Sequence, residues 1–275
     1  MLPYSAEQTE SWRVQTFAHL LVEEREHVLF LTLNRPEKKN ALNATLLNEL
    51  AYMLSFAHHS AQVWAVVLAA KGDVFCAGAD LKAFAGTSDE SASSIPPPND
   101  AIIIGNLFAG LHKPCIARLH TPVYAGGLLL VCGCTHVIAS PNVFFDLPEV
   151  KRGLFPMQVM QSLLQIMSAR HVLDWCICAR RLDAQQALSN GLVTQLVENP
   201  EQLDPAINTL LAEICQNSPS AIRLGLQAFD ELKSIAPADA HAYLSNMLFQ
   251  TLQTQDAAEG ISAFQQKRKP VWTGH

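Results

Sequence analysis

The chain has 275 residues, 49% of them apolar, and 25 acids against 19 bases give a net charge of −6. That length is enough for one sizeable core, and the charge balance supplies no field to draw nucleic acid or an anionic membrane surface. The start MLPYSAEQTESWRV has no basic stretch leading into an apolar one, and no uncharged run reaches the roughly 18 to 20 residues needed to span a bilayer. A cytoplasmic protein that meets small molecules or copies of itself is expected.

In chain order, VLFLTL (28–33) reads as a strand closed by NRPEKKN. Leu46, Leu47, Leu50, Met53, Leu54 and Ala57 then recur at helical spacing behind Asn43, a suitable N-cap. VWAVVLAA (63–70) and PCIARL (114–119) are two further buried strands, so strands alternate with helices. GTSDESASSIPPPND (86–100) is too polar to bury itself and reads as a mobile loop. After THVIAS and VFF the pattern is helical only: about 158–169, 184–190 and 202–216, then a helix capped by Ser218 with Pro219 at its first position. DAAEGISAFQQKRK opens with Asp256 and Glu259 in a capping-box-like pair and ends in Lys267, Arg268 and Lys269, which suit a helix C-terminus. The seven cysteines include the pairs Cys132/Cys134 and Cys176/Cys178, lie mostly in apolar runs, and read as buried, reduced core residues. The chain thus divides into a tail (1–18), an α/β body (19–200) and a helical end (201–275), with no internal repeat.

Two glycine sites follow buried strands. In CAGAD (76–80) and AGG (125–127), small residues let the chain turn sharply and leave backbone N–H groups uncovered. Two such donors aimed at one oxygen make an oxyanion hole, which stabilises the charge that develops on a thioester carbonyl when its α-carbon loses a proton.

The segments NRPEKKNALNATL, FCAGADLKAF, AGGLLL, FFDLPEVKRGLFP, RRLDAQQALSNGLV and EGISAFQQKRKP, in this order over about residues 20–270, resemble the enoyl-CoA hydratase/isomerase (crotonase) superfamily. The resemblance implies an α/β fold, a crotonase-like spiral of ββα turns with a C-terminal helical domain for oligomerisation. It implies trimers or hexamers, an acyl-CoA thioester substrate, and no cofactor beyond coenzyme A as part of the substrate. Carried over, the hole falls on the N–H groups of Ala79 and Gly126, the second aided by a helix dipole. CoA contacts fall on Ala77, Asp80 and Leu81, largely through backbone, with Lys82 and Lys39 near the phosphates. Phe264 and Lys267 match positions that reach a neighbouring subunit's cofactor.

Relatives that hydrate a double bond use two glutamates. The first, three residues after the hole glycine, is Leu129 here; the second is Glu149, in an apolar setting that should raise its pKa. A lone base suits a proton shuttle: Glu149 removes a C2 proton from a β,γ-enoyl thioester and returns it at C4. Isomerisation is therefore favoured, with glutaconyl-type hydration and a non-catalytic CoA-binding or scaffold role left open. Met157 stands near where dehalogenase and dienoyl-isomerase relatives carry an Asp. Asp146 is assigned a structural hydrogen-bonding role, and Thr135 replaces an acid that usually follows the cysteine. His120, in HTPVYAGG, occupies a pocket-floor position as either a strand-end residue or a substrate contact. His58, His59, His112 and His136 lack metal-ligand spacing and are assigned to surface or core.

Overall fold

The computed structural model describes residues 2–80 and 92–275. In chain order the strands are β1 (Leu20–Arg25), β2 (Val28–Leu33), β3 (Ala65–Ala70), β4 (Cys115–Leu119), β5 (Val123–Tyr124), β6 (His136–Ala139), β7 (Phe144–Asp146), β8 (Leu182–Asp183) and β9 (Gln195–Leu196). One sheet runs β1-β2-β3-β4-β6-β9 and a smaller one β5-β7-β8. Among the described residues, only the hairpin β1–β2 is antiparallel in the larger sheet.

Parallel sheets are covered on both faces, which is why the strand AVVLAA shows no polar alternation. Val66 and Leu68 of β3 face the main core, where they meet Leu46, Leu50 and Met53 of the helix Ala44–His59. Ala65 and Val67 face the other side, which Leu203, Ile207 and Leu211 of the helix Leu203–Cys215 cover. Asn43 caps the first of these helices, its side chain accepting from Leu46 N–H at 2.9 Å. The first residues join the same core: Tyr4 and Trp12 are buried, and Tyr52 donates its hydroxyl hydrogen to the Gln8 carbonyl at 2.8 Å. The last helices, Pro219–Leu232, Ala240–Leu252 and Gln255–Gln265, share a small cluster of Leu224, Ala228 and Met247. Phe229, Leu248, Phe249, Leu252, Ile261 and Phe264 remain exposed there.

Several sequence expectations need correction. The helix expected over 158–169 ends at Leu163, and Ser168 caps a separate helix, Ala169–Cys178. The stretch beyond VFF also contains β8 and β9, two-residue strands too short to show a period. Thr254, not Asp256, caps the last helix. Asp256 is instead buried and accepts from the Ser218 hydroxyl and the Ser220 and Thr273 N–H groups, while Glu259 binds Arg268. Of the stretch expected to be a mobile loop, 92–100 is tied down: Ser94 N–H donates to the Thr16 carbonyl at 3.0 Å, and Pro96 O accepts from Tyr4 and Asn48. The remainder, 86–91, lies outside the described residues. Among the cysteines Cys178 is exposed and Cys132, Cys134 and Cys215 are half-buried, so only Cys76, Cys115 and Cys176 fit the core expectation.

Candidate active site

The two glycine loops run side by side beyond the C-terminal ends of β3 and β4. Phe75 N–H donates to the Pro122 carbonyl and Tyr124 N–H to the Cys76 carbonyl, each at 2.9 Å. On the far flank Leu42 N–H donates to the Gly78 carbonyl at 2.8 Å, and Asp80 N–H to the Leu42 carbonyl at 2.9 Å. The loops are therefore clamped from both sides, which fixes where their remaining N–H groups point.

Gly78 sits at φ +88° and Ala125 at φ +49°, left-handed conformations that turn the backbone sharply. A Cβ on Gly78 would lie 2.9 Å from the Gly126 nitrogen, and one on Gly126 would lie 3.6 Å from the Ala79 nitrogen. The two expected hole donors are thus adjacent. Neither the Ala79 nor the Gly126 N–H donates to a backbone or side-chain acceptor among the described residues. Unpaired N–H groups are uncommon in folded chains, and two at one spot form a receptor for a developing oxyanion. Gly127 is needed for a different reason: its Cβ would stand 2.8 Å from both Cys76 Cβ and the Cys76 carbonyl oxygen. Gly127→Ala should accordingly cost about 1–3 kcal/mol through overpacking, seen as a lower urea midpoint at unchanged m-value.

Glu149 begins the 3-10 turn Glu149–Arg152, which Gly153 closes at φ +75°. Its link to the hole runs through β7: Tyr124 pairs with Asp146, and the Asp146 carbonyl accepts from Ala125 N–H at 2.9 Å, one residue before Gly126. The carboxylate is half-buried and Oε2 has no partner among the described residues. Burial raises its pKa; the Asp146 charge adds to that, while its own backbone N–H and Arg152 oppose it. The buried Cys176 thiol lies close enough to feel the Glu149 charge. Asp146 does make a structural contact, with Arg181 at 3.5 Å, but its Oδ1 is buried and unpartnered.

Leu129 is buried one turn after Gly126, to whose carbonyl its N–H donates at 3.1 Å. It borders a cavity of about 310 Å³ together with Phe108, Ile166, Leu226 and Phe229. A second cleft of about 580 Å³ opens beside Leu42, between Ala44, Leu47 and residues 98–102.

The expected CoA positions are distributed as follows. Ala77 N–H donates to the Lys39 carbonyl at 3.0 Å, and Lys39 is exposed in a left-handed turn at φ +53°. The Asp80 carboxylate is bound by the buried Arg35 at 2.6 Å, which neutralises it. Leu81 and Lys82 lie outside the described residues. Phe264 is 85% exposed and Lys267 is exposed just beyond the last helix. Burial lowers the pKa of His120, with Arg118 adding to this and the Gly72 backbone and Asp204 opposing it, and its Nδ1 is buried without a partner among the described residues. Met157 is exposed, and Thr135 bonds the Cys115 backbone in both directions at 3.0 Å.

Sequence reasoning did not find Asn40, which holds the first loop by donating to the Lys71 and Val74 carbonyls at 2.8 Å and accepting from Arg35 N–H. It also did not bring His58, His59 and His112 together; their spacing along the chain carries no signal of the cavity they share.

A family model described as enoyl-CoA hydratase/isomerase matches residues 23–275. Mevalonyl-coenzyme A hydratase of Aspergillus fumigatus is 30% identical over 255 residues, covering 90% of this chain and 91% of the relative. The 2,3-dehydroadipyl-CoA hydratase of Escherichia coli K12 is 29% identical over 262 residues, covering 94% and 99%. A crystal structure of enoyl-CoA hydratase from Mycobacterium tuberculosis H37Rv superposes with a TM-score of 0.82 at 30% identity, covering 94% of this chain and all of that one.

Proposed function

The chain belongs to the enoyl-CoA hydratase/isomerase family, and from that premise we propose that it converts β,γ-enoyl-CoA thioesters to their α,β isomers with Glu149 as the only acid/base. The observation that carries this reading is one half-buried carboxylate with a raised pKa, tied through β7 to two unpaired N–H groups, while the position one turn after Gly126 is an apolar Leu129. The thioester carbonyl accepts hydrogen bonds from Ala79 and Gly126. Glu149 takes a proton from C2, the C2–H electron pair moves into a dienolate whose oxygen rests in the hole, and the same carboxyl returns the proton at C4. No water enters the product. The cleft beside Leu42 adjoins the hole loop and suits the approach of the acyl thioester. The adenine then falls to the backbone of Ala77, Asp80 and Leu81, and the phosphates to Lys82 and Lys39.

Hydration is the second reading, favoured by the names of the relatives and by the two buried carboxylate oxygens, Asp146 Oδ1 and Glu149 Oε2, which share no protein partner. The test is a panel of 3-enoyl-CoAs of increasing chain length, followed by the absorbance of the conjugated thioester. Conjugation without mass gain supports isomerisation. Failure to turn over any member, with CoA still bound, would leave only a binding role.

Assembly follows from the exposed apolar face of the last helices, where Phe264 and Lys267 are proposed to meet a neighbour's CoA. Sedimentation should show a trimer or hexamer at micromolar concentration. A concentration-independent monomer would remove both residues from the site.

A further inference from the structure

At the pole of the sheet opposite the glycine loops, the end of the helix Ala44–His59 and the entries to β3 and β4 enclose a cavity of about 280 Å³. Five or six strand residues at about 3.3 Å each separate it from the hole by on the order of 20 Å. His58, His59, His112, Lys113 and Arg223 line it, and among the described residues no aspartate or glutamate does. In a chain of net charge −6, this gathering of bases is a local excess that packing alone does not require.

Once protonated, each base has a donor to spare. Lys113 is buried, and its Nζ donates to the carbonyls of Ser60 and, at 2.5 Å, Val63; an ammonium carries a third N–H. His58 and His59 each use one ring nitrogen, on the Leu111 carbonyl at 3.3 Å and the Tyr4 carbonyl at 3.1 Å. The His58 ring lies 5.5 Å from that of His112. Arg223, half-buried on the helix Pro219–Leu232, makes no hydrogen bond or ion pair with the described residues. Its five donors are not tied to the protein and stand open to an incoming acceptor.

We propose that this cavity binds a phosphate-type oxyanion, free or carried on a small organic molecule. The volume is near the lower end of ligand pockets, which begin at about 300 Å³, so the ligand is smaller than a nucleotide. Binding draws protons into the cavity. Burial lowers the pKa of His58 and His112 and brings Lys113 down to about 7, with Arg223 adding to the last; an anion reverses these effects. The acids that face the cluster are Asp230, 4.0 Å from His112 and already bound to Lys233, and Glu231, held by Tyr243. His275 completes the rim, and its terminal carboxylate, which accepts from the Asp256 N–H at 2.9 Å, is a further anion there.

The probe is sulfate, which stays a dianion across the range used, titrated calorimetrically into the full chain at pH 5.5 and pH 8.0. One site per chain is expected, tighter by about tenfold or more at pH 5.5, as one added neighbouring charge would give. Arg223→Ala should weaken it by at least about tenfold and Arg223→Lys by less, since only the fork geometry is lost. Saturating CoA should leave the affinity unchanged, which separates this site from the acyl-CoA site. Inorganic phosphate and glycerol 3-phosphate are then run as competitors: whichever displaces sulfate at the lower concentration identifies the free or the carried phosphate. No saturation at pH 5.5, affinity independent of pH, indifference to Arg223→Ala in a variant of native circular dichroism, displacement by CoA, or competition by neither phosphate would each overturn the proposal.

Discussion

Glu149→Gln should lower solvent-proton exchange at C2 of a bound acyl-CoA by about 10²–10⁴-fold, the usual worth of a positioned acid/base, while CoA affinity changes little. Gln keeps the shape and loses only the ability to take a proton, and the hole donors Ala79 and Gly126 lie on other segments. Folding offers an internal control. Because burial raises the folded pKa of Glu149 above its ordinary 4.5, the wild-type carboxyl contributes stability that is complete below that value and is lost as pH rises through the folded pKa. The Gln variant should therefore be at least as stable as wild type above that ordinary value, and more clearly so as pH rises through the folded pKa. The wild-type exchange rate should rise with pH to a midpoint above 4.5, the ordinary value for this side chain. Exchange by Glu149→Gln at the wild-type rate would remove Glu149 from the mechanism.

Leu129→Glu should shift product from isomer toward 3-hydroxyacyl-CoA, because a second carboxyl one turn from Gly126 could orient and deprotonate a water that Leu129 cannot hold. The same change should destabilise the fold by on the order of 3 kcal/mol when the new acid is ionised, since Leu129 is buried among apolar neighbours. The sign follows from a folded pKa raised above the unfolded one: the penalty is absent well below the unfolded pKa and grows as pH climbs past it. If Leu129 only walls the cavity it shares with Phe108 and Ile166, stability falls in the same way while the product ratio stays fixed. Product ratios measured on equally folded samples separate the two.

The paired glycine loops were legible because their requirements are backbone requirements: Gly78 at positive φ, Gly127 against Cys76, and small residues between them leave a local mark in the sequence. The strands β2, β3 and β4 were legible as uninterrupted apolar runs, as expected for a sheet covered on both faces. The hairpin strand β1, LLVEER, was not, since its outward residues make it resemble a polar segment. The break between Leu163 and Ser168 was hidden because both flanking helices are amphipathic and the turn between them, LQIM, is apolar. Asp256 resembled a cap locally but is claimed by Ser218, Ser220 and Thr273, contacts from distant parts of the chain. The same limit applies to Arg35, whose pairing with Asp80 spans 45 positions and takes that carboxylate out of any charged role toward CoA.

In the proposed mechanism a lone carboxylate shuttles one proton and adds no water. A C2-deuterated 3-enoyl-CoA, reacted for a single turnover in water enriched in oxygen-18, tests it most directly by mass spectrometry and NMR. The first product should be the 2-enoyl-CoA with part of the deuterium moved to C4 and no heavy oxygen. A 3-hydroxyacyl-CoA carrying oxygen-18 as the first product would contradict it.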